Sequence, residues 1–277
     1  LAKCSVFTFH KPSFLTISLL SGIFLTAIIT VSTGCYRIKK DKVEVPLNDL
    51  SSVSEEELDL LRYRDRKRYL LSAEPPTKLP SPKLQLRSEV KKEINLMARH
   101  EGLYLTEALT RREKYYPLLI EIFRDQGLPY EMINLALIES GFNVDARSHV
   151  GAVGIWQFMK ATARLYGLEV SLRIDERRDL VLSSIAAAKY LRDLYLIFND
   201  WELALAAYNA GPGAISRVIK RHGTRNFWSL SRAGKINRET RRFVPKFLAA
   251  AIISKNPEKY GLFWITPCAS GKSKVSY

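Results

Sequence analysis

An all-α domain over residues 88–262 is the fold class the sequence predicts, on three observations. From Ser88 onward no run of residues alternates apolar with polar, the spacing of a half-buried strand. Proline and glycine recur where helices would start and stop. Leu180, Ser184, Ala187, Leu191, Leu194 and Phe198 mark one inward face at helical spacing. The punctuation divides the stretch into about seven helices.

Residues 1–35 read as an address rather than as part of that fold. Lys3, His10 and Lys11 precede Phe14–Val31, which carries no charge. A basic start followed by an apolar run is the pattern of a secretory signal or a membrane anchor. The run ends in "VSTGC", residues 31–35, which resembles the lipobox of bacterial lipoproteins, with Ser32 where leucine is usual. On that reading Cys35 is lipidated and the peptide before it removed. Tyr36 rather than aspartate then points to the outer membrane, facing the periplasm. An uncleaved anchor or an ordinary signal peptide is the alternative. Cys4 would be lost on cleavage, leaving Cys268 without a disulfide partner.

Residues 36–87 have the composition of a spacer. A short charged segment leads into "AEPPTKLPSPKL", whose Pro75, Pro76, Pro80 and Pro82 favour an extended, semi-rigid chain. Within the helical domain, Pro117 is expected to open one helix and Gly127 to follow its end. Pro129 opens the next, "PYEMINLALIES", which Gly141 stops. Asp179 precedes the helix over 180–198, and Asn199–Asp200 turn into "WELALAAYNA". Gly211 and Pro212 break that helix and start another. The last, "RETRRFVPKFLAAAIIS", is kinked at Pro245 or begins there. Residues 263–277 form a tail.

The charge is uneven. Of the net +15, residues 216–277 supply +12, with 14 Lys or Arg against Glu239 and Glu258. A basic surface in this quarter would attract nucleic acid, anionic lipid or an anionic cell-wall polymer, or be only a solvated face. Cysteine and histidine spacing suggests no metal site, and no nucleic-acid-binding motif is present.

Glu139 is the residue that stands out. It closes an almost wholly apolar segment, sharing a helix face with Met132, Leu135 and Ala136. Ile133, Leu137 and Ile138 make the other faces apolar too, as in a core helix. Burial and the negative end of the helix both raise the proton affinity of a carboxylate. The result is a carboxylic acid suited to general acid catalysis, or else a buried glutamate paired with a cation.

The surrounding spacing is more specific. The stretches "ESGFNVDARSHVGAVGIWQFMKATARLYG" and "AAYNAGPGAISRVI" resemble the two motifs of the lytic murein transglycosylases, which carry the SLT domain. "GIWQFM" and "ETRRFVPKFLAAAIISKNPEKYGL" resemble the membrane-bound D branch, and the likeness runs from about Ser88 to Leu262. The resemblance implies a lysozyme-like helical fold and no cofactor. It also implies peptidoglycan glycan strands as substrate and cleavage without water between N-acetylmuramic acid and N-acetylglucosamine. Glu139 would act first as acid and then as base, closing a 1,6-anhydro ring. It further implies that Ser148 orients the acid or binds substrate, and that Gln157 and Asn209 contact sugar. Tyr208 would approach the glutamate.

Two departures qualify the likeness. Phe243 stands where the family usually has tyrosine, so an aromatic surface remains without its hydroxyl. No cell-wall-binding repeat follows the domain in this sequence. Asp145, in the loop after Glu139, is a candidate second carboxylate, though turn formation suits it better. A hydrolytic muramidase on the same fold, and a non-catalytic wall-binding protein, are the competing readings.

Overall fold

The computed structural model describes residues 18–19, 23–24, 54, 59–60, 63–64 and 77–262. Residues 1–53 and 54–277 form two separate units. In the first, β1 (Ser18–Leu19) pairs antiparallel with β2 (Ile23–Phe24), Ser18 opposite Phe24. Cys35, most of the 36–87 spacer and the 263–277 tail lie outside the described residues. Among the described residues no helix is long and apolar enough to cross a membrane.

The second unit is helical, as expected. Among the described residues, nine α-helices run between Ser88 and Ile253. They are α1 (Ser88–His100), α2 (Gly102–Asp125), α3 (Asn134–Ser140), α4 (Lys160–Leu165) and α5 (Leu180–Phe198). α6 (Trp201–Ala210), α7 (Pro212–His222), α8 (Phe227–Arg232) and α9 (Arg238–Ile253) follow. The helices not anticipated are α4 and α8. Each has 6 residues, too few turns for a periodic pattern to register.

Capping explains several boundaries. The side chains of Asp179, Asp200, Asn226 and Asn237 accept from Leu182, Leu203, Ser229 and Thr240 N–H, opening α5, α6, α8 and α9. All six residues expected on the inward face of α5 are buried. Pro245 does not start the last helix: Asn237 does, and the proline lies buried inside α9. Pro117 does not open a helix either. It lies within α2, because Leu105, Ala108 and Leu109 before it and Leu118, Leu119, Ile122 and Phe123 after it are all buried. That packing outweighs the roughly 3 kcal/mol that an interior proline costs a helix. The segment expected as one helix from Pro129 to Ser140 is a 3-10 turn, Tyr130–Ile133, running into α3.

The end of the expected spacer is docked rather than free. Leu79 N–H donates to Gly127 O (2.7 Å), Trp201 Nε1–H to Pro80 O (2.6 Å) and Arg192 to Thr77 O (2.9 Å). Earlier in the same segment the Tyr63 hydroxyl donates to Asp125 (2.6 Å), and the Tyr63 ring is buried. The proline-rich strand is thus a strap on the domain from Thr77 onward.

Residues 141–159, between α3 and α4, are irregular and tightly held. Ser140 Oγ donates to Ile155 O (2.8 Å) and accepts from Asn143 N–H (3.2 Å). Val153 and Phe158 exchange N–H···O bonds at 3.1 Å. The buried Arg177 guanidinium donates to Gly151 O (2.9 Å) and Phe158 O (3.0 Å), while Asp175 binds it bidentately. Trp156 plugs the loop into the core, stacking on Phe123 and donating to Ser184 Oγ (2.9 Å). Gly154 permits this approach: at φ 84° an added Cβ would lie 1.9 Å from Arg177 O. Gly154→Ala is therefore expected to cost about 3 kcal/mol or more, through clash and backbone strain together. Thermal unfolding checks it, and a midpoint equal to that of the wild type would contradict this packing.

Candidate active site

Glu139 sits on the last turn of α3, whose apolar residues Leu135, Ala136 and Leu137 anchor it in the core. Gly141, at φ 60°, ends the helix, and Phe142 follows at φ 59°. A phenylalanine in the left-handed region is uncommon. Here its ring is wholly buried, and burial holds the backbone in that conformation. Arg111 Nε donates to Gly141 O (2.8 Å) and fixes the turn from the α2 side. The chain is thus turned immediately after the carboxylate, and the loop 141–159 returns to bond Ser140, the next residue, through Ile155 O.

Protein surrounds the Glu139 side chain densely, yet solvent still reaches it. Among the described residues, no hydrogen bond or ion pair engages its carboxylate. Desolvation, with the charge of Glu239 adding to it and that of Lys246 opposing it, pushes its pKa up to about 8. The acid therefore keeps its proton near neutral pH. The expected alternative, a structural ion pair, is absent: the nearest cationic influence is Lys246, whose ammonium lies 3.8 Å from Glu101.

The second carboxylate that acts on Glu139 is one the sequence did not single out. Glu239, on the first turn of α9, is exposed and accepts from Asn209 Nδ2 (3.1 Å). Asn209 Oδ1 in turn accepts from Thr240 Oγ1 (2.6 Å). Asn209 therefore joins α6 to α9 and does not cap α7. Asp145 makes an exposed ion pair with Arg178 (2.9 Å) and accepts no role at Glu139 in this arrangement.

Tyr208 donates its hydroxyl to Trp156 O (2.7 Å) rather than to the glutamate. Glu139 and Tyr190 are nonetheless close enough that, after burial, both raise the Tyr208 pKa well above its usual value. Tyr208 packs against Tyr190 (5.3 Å), and Tyr190 against Tyr166 (5.0 Å), giving the site an aromatic wall. Gln157, in a turn at φ 50° rather than on a helix, donates to Gly154 O (2.8 Å) and Ala146 O (3.3 Å). Both bonds use its amide nitrogen, which leaves the side-chain oxygen as an acceptor. Ser148 Oγ accepts from Ala152 N–H (3.0 Å) and so closes the tip of the loop. Phe243 is half-buried against the core, with part of its ring accessible.

The structure brings Glu139, Tyr208 and, through Glu239, Asn209 into one electrostatic neighbourhood. Ser148 and Gln157 belong to the loop that Tyr208 and Ser140 pin. Sequence reasoning missed Ser140, Trp156, Arg177 and Glu239. Ser140 was visible only as the neighbour of Glu139, and Arg177 only as part of the charged run "DERRD". Among the described residues no cluster suited to a metal ion occurs.

Residues 122–231 match the Transglycosylase SLT domain family, a span holding Glu139, the whole pinned loop and the Tyr208–Asn209 pair. The chain is 37% identical over 164 residues to membrane-bound lytic murein transglycosylase D of Escherichia coli K12, covering 57% of this chain and 35% of that protein. It is 36% identical over 123 residues to a putative tributyltin chloride resistance protein of an Alteromonas species, covering 43% of this chain and 59% of the relative. It is 36% identical over 113 residues to the peptidoglycan transglycosylase gp16 of Escherichia phage T7, covering 39% of this chain and 9% of the relative. The chain thus spans about a third of the length of the first of these relatives. Over residues 122–231, the span that holds the unpaired Glu139, the chain is thus similar to the transglycosylase SLT-domain family.

Proposed function

We propose that the protein is a peptidoglycan lytic transglycosylase, with Glu139 as its acid and base on a lysozyme-like helical domain. The observation that carries the reading is a carboxylate at the end of an apolar helix, reached by solvent and engaged by no hydrogen bond or ion pair among the described residues, whose pKa desolvation pushes up to about 8. The relatives named for murein and peptidoglycan transglycosylase activity share this region.

In the proposed reaction Glu139 gives its proton to the glycosidic oxygen between N-acetylmuramic acid and N-acetylglucosamine. The bond from that oxygen to C1 of the muramic residue breaks, and N-acetylglucosamine leaves with the proton. The Glu139 carboxylate then takes the proton of the C6 hydroxyl of the same muramic residue. The C6 oxygen bonds to C1, the 1,6-anhydro ring closes, and the acid is restored with no water consumed. A group that must both give and take a proton works best with a pKa near the working pH.

Gln157, through its free side-chain oxygen, and the accessible ring of Phe243 would contact sugar. Ser148 would do so only by giving up its bond to Ala152 N–H. Tyr208 and Asn209 act mainly by position: one holds the loop, the other holds Glu239. Delivery to the wall would come from lipidation at Cys35, placing the domain in the periplasm on the outer membrane, with the residues before Thr77 as tether.

A hydrolytic muramidase is the second reading, and the coupled pair Glu139–Glu239 is the observation that favours it. Two carboxylates at a glycosidic bond are the usual arrangement when water is the nucleophile. The products separate the two readings, because an anhydro end is lighter than a reducing end by one water.

Glu139→Gln is nearly isosteric and removes the proton donor. It is expected to lower turnover of purified peptidoglycan by about 10²–10⁴-fold or more while the domain stays folded. Mass spectrometry of wild-type products should show anhydro ends, and reducing ends in their place would support the hydrolase. Glu239→Gln removes a negative charge that favours the protonated form of Glu139. The Glu139 pKa should fall, so the alkaline limb of the pH–rate profile should move to lower pH. A limb that does not move, or moves to higher pH, would show that Glu239 does not act on the acid.

A further inference from the structure

The basic C-terminal quarter has no part in the chemistry above, and its charges are not evenly placed. Several cations there have carboxylate partners: Arg232 with Glu89 (3.9 Å), Arg242 with Glu93 (3.2 Å) and Lys246 with Glu101 (3.8 Å). Arg225 is spent on the carbonyls of Ile197 and Phe198. The cations of α7 are different. Arg217, Lys220 and Arg221 fall at i, i+3 and i+4, so they share one face, and all three are exposed. Among the described residues none of them pairs with a carboxylate. The helix itself contains no acidic residue.

The opposite face explains why the row is held in place. Ile215 is buried, and Val218 and Ile219 pack against the core, so the helix cannot roll to hide its charges. Its starting point is equally telling. Pro212 follows directly on Tyr208–Gly211, the segment that carries two residues of the candidate site. The cationic row therefore sits on the helix that begins directly after that segment.

We propose that the Arg217–Lys220–Arg221 face of α7 is a docking surface for the carboxylates of an anionic polymer, namely those on the peptide substituents of the glycan strand whose sugars enter the site. This rests on the reading of the protein as acting on peptidoglycan and adds a second point of attachment to it. An anionic lipid surface is the less fitting partner. Peripheral membrane helices combine cations with apolar side chains that enter the bilayer boundary. Among the described residues, the large apolar side chains that are exposed, such as Leu103, Val150, Leu165 and Leu172, all lie outside α7. Three exposed cations on one rigid face attract carboxylates in water chiefly at low ionic strength.

The test uses the full-length protein and the variant Arg217→Gln/Lys220→Gln/Arg221→Gln, whose glutamines keep helix propensity. Co-sedimentation with purified sacculi in the cold is measured at low and high salt, with native sacculi and with sacculi whose carboxylates have been amidated. Circular dichroism confirms that the variant is folded. The wild type should bind native sacculi about tenfold more tightly than the variant at low salt. That advantage should disappear in high salt and on amidated sacculi. Equal binding of the two proteins to native sacculi would overturn the proposal. So would a wild-type preference for phosphatidylglycerol vesicles over sacculi that the variant loses, which would assign the face to lipid. Product analysis with the wild type reports separately on the catalytic reading, so a failed docking surface and a failed activity are distinguishable.

Discussion

An unpaired, largely desolvated carboxylate at the end of a core helix is the constraint around which this domain is built. Placing Glu139 where water is scarce and no cation is bonded costs stability whenever the group is ionised. The protein tolerates this by leaving the proton on, with the pKa raised to about 8. Everything next to the residue serves that state. The helix ends one residue later, the backbone turns through two left-handed residues, and the loop returns to bond Ser140 beside it. For an acid whose folded pKa is raised, the sign is fixed. Its contribution to stability is greatest below the unfolded pKa of about 4.5 and declines as pH rises towards 8. A site designed only for stability would have a neutral or apolar residue here.

Rigidity of the loop 141–159 is the second feature of the arrangement. Three separate elements hold it. Ser140 binds it from the helix that carries the acid, Tyr208 binds Trp156 O from α6, and Arg177 binds two of its carbonyls from the segment before α5. Arg177 is itself held by two hydrogen bonds to Asp175, so its charge is balanced where it is buried. The charge balance at the acid is then set by α9, which contributes Glu239 and Lys246 with opposite effects. Asn209, on α6, bonds both Glu239 and Thr240 of α9.

The parts of this arrangement legible in the sequence are those written in local patterns. Helical class, the inward face of α5 and the turn at Gly141 follow from periodicity and from glycine and proline chemistry. Glu139 stood out because a charged residue ends an apolar run. What sequence did not disclose depends on contacts between distant segments. Pro117 reads as a helix start until the buried residues on both sides of it are seen. Thr77–Arg87 reads as a free spacer until Trp201 is found bonded to Pro80. Gln157 and Ser148 have motif positions that suggest ligand contacts, yet their hydrogen-bond partners are backbone groups of their own loop. Glu239 was hidden among the cations of "NRETRRF", where a glutamate looks like a simple counter-charge.

The most direct test of this account is the titration of Glu139 itself. Carboxyl carbons of glutamate labelled with ¹³C can be followed by NMR across the pH range, and Glu139→Gln identifies the resonance by its loss. The account predicts a midpoint near 8 for this one residue, well above the usual glutamate value. A midpoint in the ordinary carboxylate range would mean that the site is wet or that the acid is paired. The central claim, a carboxylic acid kept protonated by its surroundings, would then be wrong.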